Sequence, residues 1–161
     1  MEKAKDRRDE LQCTIYPLNS LAEYKYVVVC SRYQGAWLLS MHKKRSTWET
    51  QGGHIEPGES PVQAARRELY EESGVREAEL YPVCDYCGYD AQSHANGVVF
   101  LAVIHHLGAM PESEMRNTAL FDALPKNLTY PNVSPRLYAE AEKLLRSLGC
   151  TGAKDKSEEL G

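Results

Sequence analysis

The sequence lacks any apolar run long enough to cross a lipid bilayer, which takes about 20 residues. Its N-terminus has no apolar core of the kind found in a secretory signal, so we expect the chain to remain in the cytoplasm. It has only five cysteines, an odd number that indicates reduced thiols rather than a disulfide framework. Positive charge is not in excess, because the chain has 19 lysines and arginines and 23 aspartates and glutamates. This balance gives no electrostatic reason to expect a nucleic-acid duplex or an anionic membrane as a partner.

The composition is that of an ordinary globular protein, with 42% hydrophobic and 26% charged residues in a chain of 161. We expect a single domain over residues 11–150. Because both ends are polar, we expect a loose arm at 1–10 and a flexible tail at 151–161. The net charge of −4 implies that an anionic ligand would need a cation, most simply a metal ion, to mediate its binding.

Apolar patterning predicts the strands of a sheet. Residues 26–30 and 36–40 are predicted strands joined by a hairpin turn at Gln34-Gly35. Residues 98–104, VVFLAVI, are apolar without alternation, which is typical of a central strand covered on both faces.

Two helices are predicted from signals at their ends. Ser60 as N-cap and Gln63 three residues later form a capping box, and Gly74 marks the end of that helix. The second helix is predicted to begin at Ser134 and to end before Gly149, with a leucine-rich stripe typical of a packing helix. Helices on both faces of the sheet predict an α/β or α+β sandwich.

The stretch 53–75 contains a glycine-rich loop, a capped helix and a glycine stop. Its Glu68, Glu71 and Glu72 are spaced at i, i+3 and i+4, so their carboxylates converge on one helical face. Such close negative charges repel one another, and a hard divalent cation such as Mg²⁺ would relieve that repulsion.

A solvated acidic helix face is the alternative interpretation of this cluster. On a helical wheel, Glu68 and Glu72 border the apolar stripe of Val62, Ala65 and Leu69. Carboxylates at the edge of a buried face and below a glycine loop are better placed for a metal ion than for solubility, so the pattern favours a metal site.

The same stretch is similar to the box of the Nudix hydrolases. Every defined position of that box is filled, by Gly53, Glu59, Arg67, Glu68, Leu69, Glu71, Glu72, Gly74 and Val75. The resemblance extends to a hairpin before the box and to strands and a late helix after it, over most of residues 24–148. It implies a Nudix fold, an α/β/α sandwich around a mixed β-sheet. It also implies hydrolysis of a nucleoside diphosphate linked to another group.

The resemblance also implies a metal site. Glu68, Glu71 and Glu72 would hold Mg²⁺, with Mn²⁺ as a substitute, helped by the main-chain carbonyl of Gly52 or Gly53. The metal ions would neutralise charge on the phosphate oxygens and lower the pKa of an attacking water.

The remaining box residues have implied roles in positioning and proton transfer. Arg67 and Glu59 would orient the loop and the carboxylates, with Arg67 able to pair with Glu71 one turn on. Gly74 would complete the loop framework, and we favour Glu68 as the general base.

The flanks of the box indicate the substrate. Thr50-Gln51 stands where many family members have an aromatic residue or leucine and then proline, which is expected to alter what the pocket accepts. Residues 32–39 and 120–128 resemble MutT-type nucleoside triphosphate pyrophosphohydrolases. The leading substrate is therefore a nucleoside triphosphate, oxidised or not, converted to monophosphate and pyrophosphate. ADP-ribose, dinucleoside polyphosphates, or nucleotide sensing without hydrolysis are the alternatives.

Five further residues are candidates for the site. Glu112 and Glu114, in a loop after the central strands, are candidates for an additional acidic ligand, with a solvated loop as the alternative. Trp37, Tyr86 and Tyr130 are candidates for stacking on a nucleotide base, although aromatic residues near strands more often belong to the core.

Other motifs are expected to be structural. Cys84 and Cys87, followed by His94, have the spacing of half a zinc site, but no second pair accompanies them. The adjacent His105 and His106 would point to opposite faces of a strand, which makes a shared metal ion improbable. A homodimer is common among Nudix proteins, and no motif here decides the oligomeric state.

Overall fold

The computed structural model describes residues 7–149 of the chain. The predicted tail lies outside the described residues, as does most of the predicted arm, of which Arg7–Glu10 forms one turn of 3₁₀ helix. Within the described part, no helix has the length and apolar character of a membrane span. The elements that follow are β1 (Gln12–Tyr16), β2 (Tyr24–Tyr33), β3 (Ala36–His42), β4 (Trp48–Glu49), β5 (Gln51–His54), α1 (Pro61–Ser73), β6 (Glu77–Tyr89), β7 (His94–His106), β8 (Met115–Phe121) and α2 (Ser134–Ser147).

The strands form one mixed sheet of eight strands. Its main path runs β1-β6-β7-β2-β3-β4, with β5 added on β2 and β8 added on β3. β2 and β7 are parallel, and the other pairings are antiparallel. One edge of β2 is shared, since residues 26–29 pair with β5 and residues 31–33 pair with β3. This sharing places β5, which carries the paired glycines Gly52 and Gly53, against the first half of β2.

The central strand β7 is covered on both faces. Its residues alternate between two cores: Val98, Phe100, Ala102 and Ile104 pack on the α1 side, whereas Val99 and Leu101 pack on the α2 side. The period of two is the consequence of strand geometry. A helix on each face of a mixed sheet confirms the predicted α/β/α sandwich.

The predicted ends of α1 are confirmed. Ser60 Oγ accepts a hydrogen bond from the backbone N–H of Gln63, and the Gln63 side chain accepts one from the backbone N–H of Ser60. Gly74 ends the helix in the left-handed region, with φ of 83°. A side chain there would also collide with the Ala109 carbonyl, so two separate constraints favour glycine.

The buried face of α1 differs from the predicted stripe. Val62 is 41% exposed, whereas Ala64 and Ala65 are fully buried. At 100° per residue, Val62 lies on the same side as the buried Leu69 and Ser73, so its exposure follows from its place in the first turn rather than from its direction. The small alanines bring the helix close to the sheet, and Glu68 is thereby carried into the buried face rather than to its edge.

The second helix begins at Ser134 as predicted, but Ser134 does not cap it. Val133 occupies the N-cap position without a side-chain hydrogen bond, and Ser134 is buried inside the first turn. The helix is therefore held by packing, because Leu137, Ala141 and Leu145 of the predicted stripe are buried against the sheet.

Candidate active site

The paired glycines of β5, Gly52 and Gly53, lie against the second half of α1. A Cβ atom at Gly53 would fall on the Glu68 carboxylate, and one at Gly52 would collide with the Val27 carbonyl. The backbone N–H of Gly52 donates to Glu72 Oε1 at 2.9 Å. Only glycines allow the strand and the two carboxylates to approach this closely.

Glu72 lies at the centre of a negative cluster. Burial raises its pKa to about 9, and the negative charges of Glu68, Glu49 and Glu114 add to the effect, against the hydrogen bond from Gly52 that lowers it. The oxygens of these side chains are carboxylate oxygens, the ligand type that hard divalent cations prefer. The chemistry of these side chains therefore suits a divalent metal ion, whose charge would offset this repulsion.

The other two glutamates of the helix differ in their surroundings. Glu68 is 9% exposed, and burial raises its pKa while Arg67 acts in the opposite direction. Glu71 is exposed and receives a hydrogen bond from Arg67 Nη1 at 3.4 Å. In the structure, no three acidic, histidine or cysteine side chains within residues 7–149 lie close enough to one another to bind one metal ion. Glu68 and Glu72 thus face the glycines, and a third side-chain ligand would have to rotate towards them.

Arg67 joins the loop before the helix to the helix itself. Its Nε and Nη2 donate to the two carboxylate oxygens of Glu59 at 2.6 and 3.0 Å, and Nη2 also donates to the His54 carbonyl at 3.0 Å. Nη1 donates to Glu68 Oε2 at 3.1 Å. The bonds from Arg67 lower the pKa of Glu59 to about 2, and Glu59 Oε1 in turn accepts from the backbone N–H of Glu56. Arg67 therefore fixes both the loop and one candidate ligand.

The substitution Arg67→Lys is expected to loosen this loop, because lysine cannot form the planar two-point contact with Glu59 and also reach His54. Backbone amides of residues 55–59 should exchange with deuterium faster than in the original chain, while those of the central strands should not change. The control is Arg66→Lys, since Arg66 is exposed and donates to the Ala78 carbonyl, away from the loop. Equal exchange in both variants would contradict a role for Arg67 in holding the loop.

A cleft of about 540 Å³ opens beside the glycines. Its lining includes three carboxylates, three phenols and two basic groups, namely Glu49, Glu72, Glu114, Tyr26, Tyr86, Tyr130, Lys25 and Arg45. Burial raises the pKa of Tyr86, and the phenols of Tyr26 and Tyr130, which line the same cleft, add to the effect. A cleft of this size that combines aromatic and charged groups can hold a ligand of nucleotide size.

Two of the three predicted stacking residues reach the cleft. Tyr86 and Tyr130 line it, whereas Trp37 does not. Trp37 is 4% exposed and packs edge-on against Tyr138 of α2, with ring centroids 4.8 Å apart. The prediction for Trp37 was wrong, because alternation along β3 directs its side chain into the core beneath α2.

Of the two acidic candidates that follow the central strands, only one lines the cleft. Glu114 lines the cleft and lies 3.6 Å from His42 Nε2, and its charge acts on Glu72. Glu112 is exposed and does not line the cleft. Glu114 therefore remains a candidate ligand and Glu112 does not.

The two residues before the paired glycines lie in different surroundings. Thr50 lines the cleft, whereas Gln51 is fully buried. The Gln51 amide accepts from Ser31 Oγ at 2.6 Å and donates to Ser40 Oγ at 2.9 Å. Of these two residues, only Thr50 is placed to contact a ligand.

Sequence reasoning missed Glu49 and Arg45. Glu49 is 7% exposed, and its Oε2 accepts from Arg45 Nε at 3.2 Å and from Thr129 Oγ1 at 2.9 Å. Arg45 and Glu49 both line the cleft. In the sequence, Glu49 could have been recognised as the one glutamate in the short stretch that leads into the paired glycines.

The remaining cysteine and histidine motifs are spread over the long β6–β7 hairpin. Cys84 is buried and Cys87 is partly exposed, and their odd spacing along β6 directs them to opposite faces. His105 and His106 each lie beside a glutamate of β6, at 3.2 and 3.7 Å. His94, by contrast, lines the cleft.

Comparison with known proteins gives matches over most of the chain. A family model described as the NUDIX domain matches residues 23–133. YtkD of Bacillus subtilis, provisionally named an 8-oxo-dGTP diphosphatase, is 34% identical over 106 residues, which is 65% of this chain and 66% of YtkD. An RNA pyrophosphohydrolase of Rhizobium meliloti is 44% identical over 78 residues, which is 48% of this chain and 42% of the relative.

Among solved structures, the Bacillus subtilis pyrophosphohydrolase BsRppH is similar over 88% of this chain and 93% of its own, with a TM-score of 0.73 and 26% identity. The matched segments span two thirds or less of the two curated relatives, so the likeness to them is partial. The similarity in structure extends over most of the described fold.

Proposed function

The chain belongs to the Nudix hydrolase family, and from this premise we propose that it hydrolyses the pyrophosphate linkage of a nucleoside triphosphate. The products are a nucleoside monophosphate and pyrophosphate, and the reaction requires a divalent metal ion, which we propose to be Mg²⁺. The observation that carries the proposal is the cleft of about 540 Å³, in which carboxylates and phenols line one cavity. The carboxylates suit a metal-bound polyphosphate, and the phenols suit a base.

The metal ion would be held by Glu68 and Glu72 together with a main-chain carbonyl of Gly52 or Gly53. Glu71 would join them on rotating away from Arg67. A bound divalent ion would neutralise the charge of the phosphates and lower the pKa of a water molecule. What supports a metal ion here is that Glu72 is buried among other negative groups, whose repulsion a cation would relieve.

The residues of the chain contribute binding, orientation and proton transfer. We assign proton acceptance from the attacking water to Glu68, which lies against Gly53 and is oriented by Arg67. Arg67 and Glu59 are positioning residues, because they act through the loop and through Glu68. Tyr86 and Tyr130 would stack on or border the base.

Two alternatives remain within the family. A sensing module would bind the nucleotide without hydrolysis, and hydrolases of ADP-ribose or dinucleoside polyphosphates would use the same carboxylates. The complete box favours hydrolysis over sensing, because every box position that would bind the metal ion is a glutamate. The name of YtkD supports an oxidised nucleoside triphosphate as the substrate.

A second candidate substrate comes from the relatives named RNA pyrophosphohydrolases. In RNA, a pyrophosphate linkage occurs in the 5′-terminal polyphosphate, so the reacting group is again a nucleoside triphosphate. Exposed lysines beside the cleft, Lys43 and Lys44, favour this candidate because a longer polyanion could reach them.

The test is a hydrolysis panel with Mg²⁺ or Mn²⁺, with products separated by chromatography. The panel holds canonical and 8-oxo nucleoside triphosphates, triphosphate-ended RNA, ADP-ribose, dinucleoside polyphosphates and NADH. We expect monophosphate and pyrophosphate from a nucleoside triphosphate, or pyrophosphate from the RNA, and no product when EDTA removes the metal ion. Release of orthophosphate alone would contradict the proposed bond cleavage. Binding without turnover of any compound would favour the sensing module.

A further inference from the structure

Within the part of the chain that the structure describes, a group of basic side chains stands outside the cleft without acidic partners. We call the set Lys43, Lys44, Arg116 and Lys126 the basic edge; all four residues are exposed. Over residues 7–149, no carboxylate forms an ion pair with any of them. In a chain whose net charge is −4, this is a local excess of positive charge.

The backbone that carries the first two lysines is held in place. Arg116 Nη2 donates to the carbonyls of Lys43 and Arg45 at 3.0 and 2.9 Å. Asn127 Nδ2 donates to the Ser46 carbonyl at 3.1 Å. Because side chains from two distant segments fix the loop, the lysines are presented from a preorganised backbone, which lowers the entropic cost of binding.

The basic edge continues from the wall of the cleft. His42 and Arg45 line the cleft, so Lys43 and Lys44 between them stand at its rim. Lys126 lies on the same side, since the carbonyl of the neighbouring Asn127 accepts a hydrogen bond from the Trp48 N–H at 2.9 Å. A strand leaving the cleft past Arg45 would therefore meet these lysines.

We propose that the basic edge binds the phosphodiester backbone of a single-stranded RNA whose 5′-terminal nucleoside triphosphate occupies the cleft. This inference rests on the proposed function, and it names the substrate of the same site. A free nucleotide carries its phosphates into the cleft and does not extend to the basic edge. Lysines contact phosphates without reading sequence, so the surface suits RNA ends of different sequence.

The test uses the full chain with all its carboxylates intact and with Mg²⁺, and turnover is prevented by a methylene group in place of the oxygen that joins the α and β phosphates of the probe. The probe is a short single-stranded RNA with a 5′-triphosphate and a 3′-fluorescent label, and binding is followed by fluorescence anisotropy at several salt concentrations. Adding Lys43→Gln and Lys44→Gln should weaken RNA binding by roughly tenfold. It should also reduce the slope of log K against log salt by about 1.4, at about 0.7 for each lysine–phosphate interaction that the substitutions remove.

The matched control is Lys143→Gln with Arg146→Gln on α2, which removes the same charge from another exposed surface and should leave RNA binding unchanged. Displacement of the probe by unlabelled GTP with the same methylene substitution measures the affinity for a free nucleotide, which should be the same in the two double variants. Equal weakening for RNA and GTP would overturn the proposal, because the lysines would then bind the polyphosphate itself. Equal weakening by the α2 control would overturn it as well.

Failure of this inference can be distinguished from failure of the proposed function. The anisotropy experiment reads binding, so it does not require turnover, whereas the hydrolysis panel reads the reaction on free nucleotides and on RNA. Hydrolysis of free nucleotides, with no effect of the lysine substitutions on RNA binding, would refute the basic edge and leave the hydrolase intact.

Discussion

Replacing Glu72 with glutamine is expected to lower kcat by on the order of a thousandfold. The Glu72 carboxylate lines the cleft and accepts a hydrogen bond from the Gly52 N–H. Glutamine keeps the size of the side chain and an oxygen that can accept the same bond, but it removes the charge that a divalent cation requires. The measurement is steady-state release of pyrophosphate over a range of Mg²⁺ concentrations.

The same variant separates loss of metal binding from loss of folding. Without metal ions, Tm should stay the same or rise, because burial and the neighbouring carboxylates already disfavour the charged form of Glu72 and hold its pKa high. Added Mg²⁺ should raise the Tm of the original chain and not that of the variant, since a ligand stabilises only the state that binds it. The control is Glu142→Gln, which alters an exposed pair on α2. Unchanged kcat in Glu72→Gln would remove Glu72 from the site.

Local sequence patterns predicted the elements that build the site. The capping box at Ser60 and Gln63 and the glycine at 74 fix where α1 begins and ends, because both signals act within a few residues. The spacing of Glu68 and Glu72 then places two carboxylates one turn apart on the helix. These relations depend on the helix alone, and the structure has them as predicted.

The interactions that complete the cleft could not be predicted in the same way. Glu49 is held by Thr129, 80 residues later in the chain, and Glu114 reaches the cluster from the segment before β8. Such pairings depend on how the sheet is ordered, which no local periodicity encodes. The side on which Trp37 lies also depends on the sheet, since a strand directs alternate residues to two cores.

Asp85 is a further position that the sequence pattern did not indicate, and it joins the loop before β2 to β6. Its carboxylate is fully buried and accepts hydrogen bonds from the backbone N–H groups of Asn19, Ser20 and Leu21, at 3.2, 2.9 and 2.9 Å. The Tyr24 hydroxyl donates to it at 2.6 Å. This loop contains Asn19 in the left-handed region, with φ of 66°, so the carboxylate holds a conformation that the loop would not favour alone.

The substitution Asp85→Ala is expected to reduce the free energy of unfolding by about 3 kcal/mol, because it removes a fully buried acceptor and the four hydrogen bonds that it makes. For a chain of this length, the loss corresponds to a fall in Tm of roughly 10 °C. Thermal unfolding followed by circular dichroism or calorimetry measures it. The loop of residues 17–23 should also exchange its amide hydrogens faster than in the original chain, and before any change in the central strand β7.

The matched control for this prediction is Asp90→Ala, directly after the same strand. Asp90 also accepts two backbone hydrogen bonds, from Gln92 and Ser93, but in an exposed turn. Water can replace the missing acceptor there, so the expected loss is below about 1 kcal/mol. The two aspartates thus make similar bonds and differ in burial, and burial is the property that should decide the cost. A loss at Asp85 no larger than that at Asp90 would show that the loop is held by other interactions, such as the bond from the Asn96 side chain to the Ala22 carbonyl.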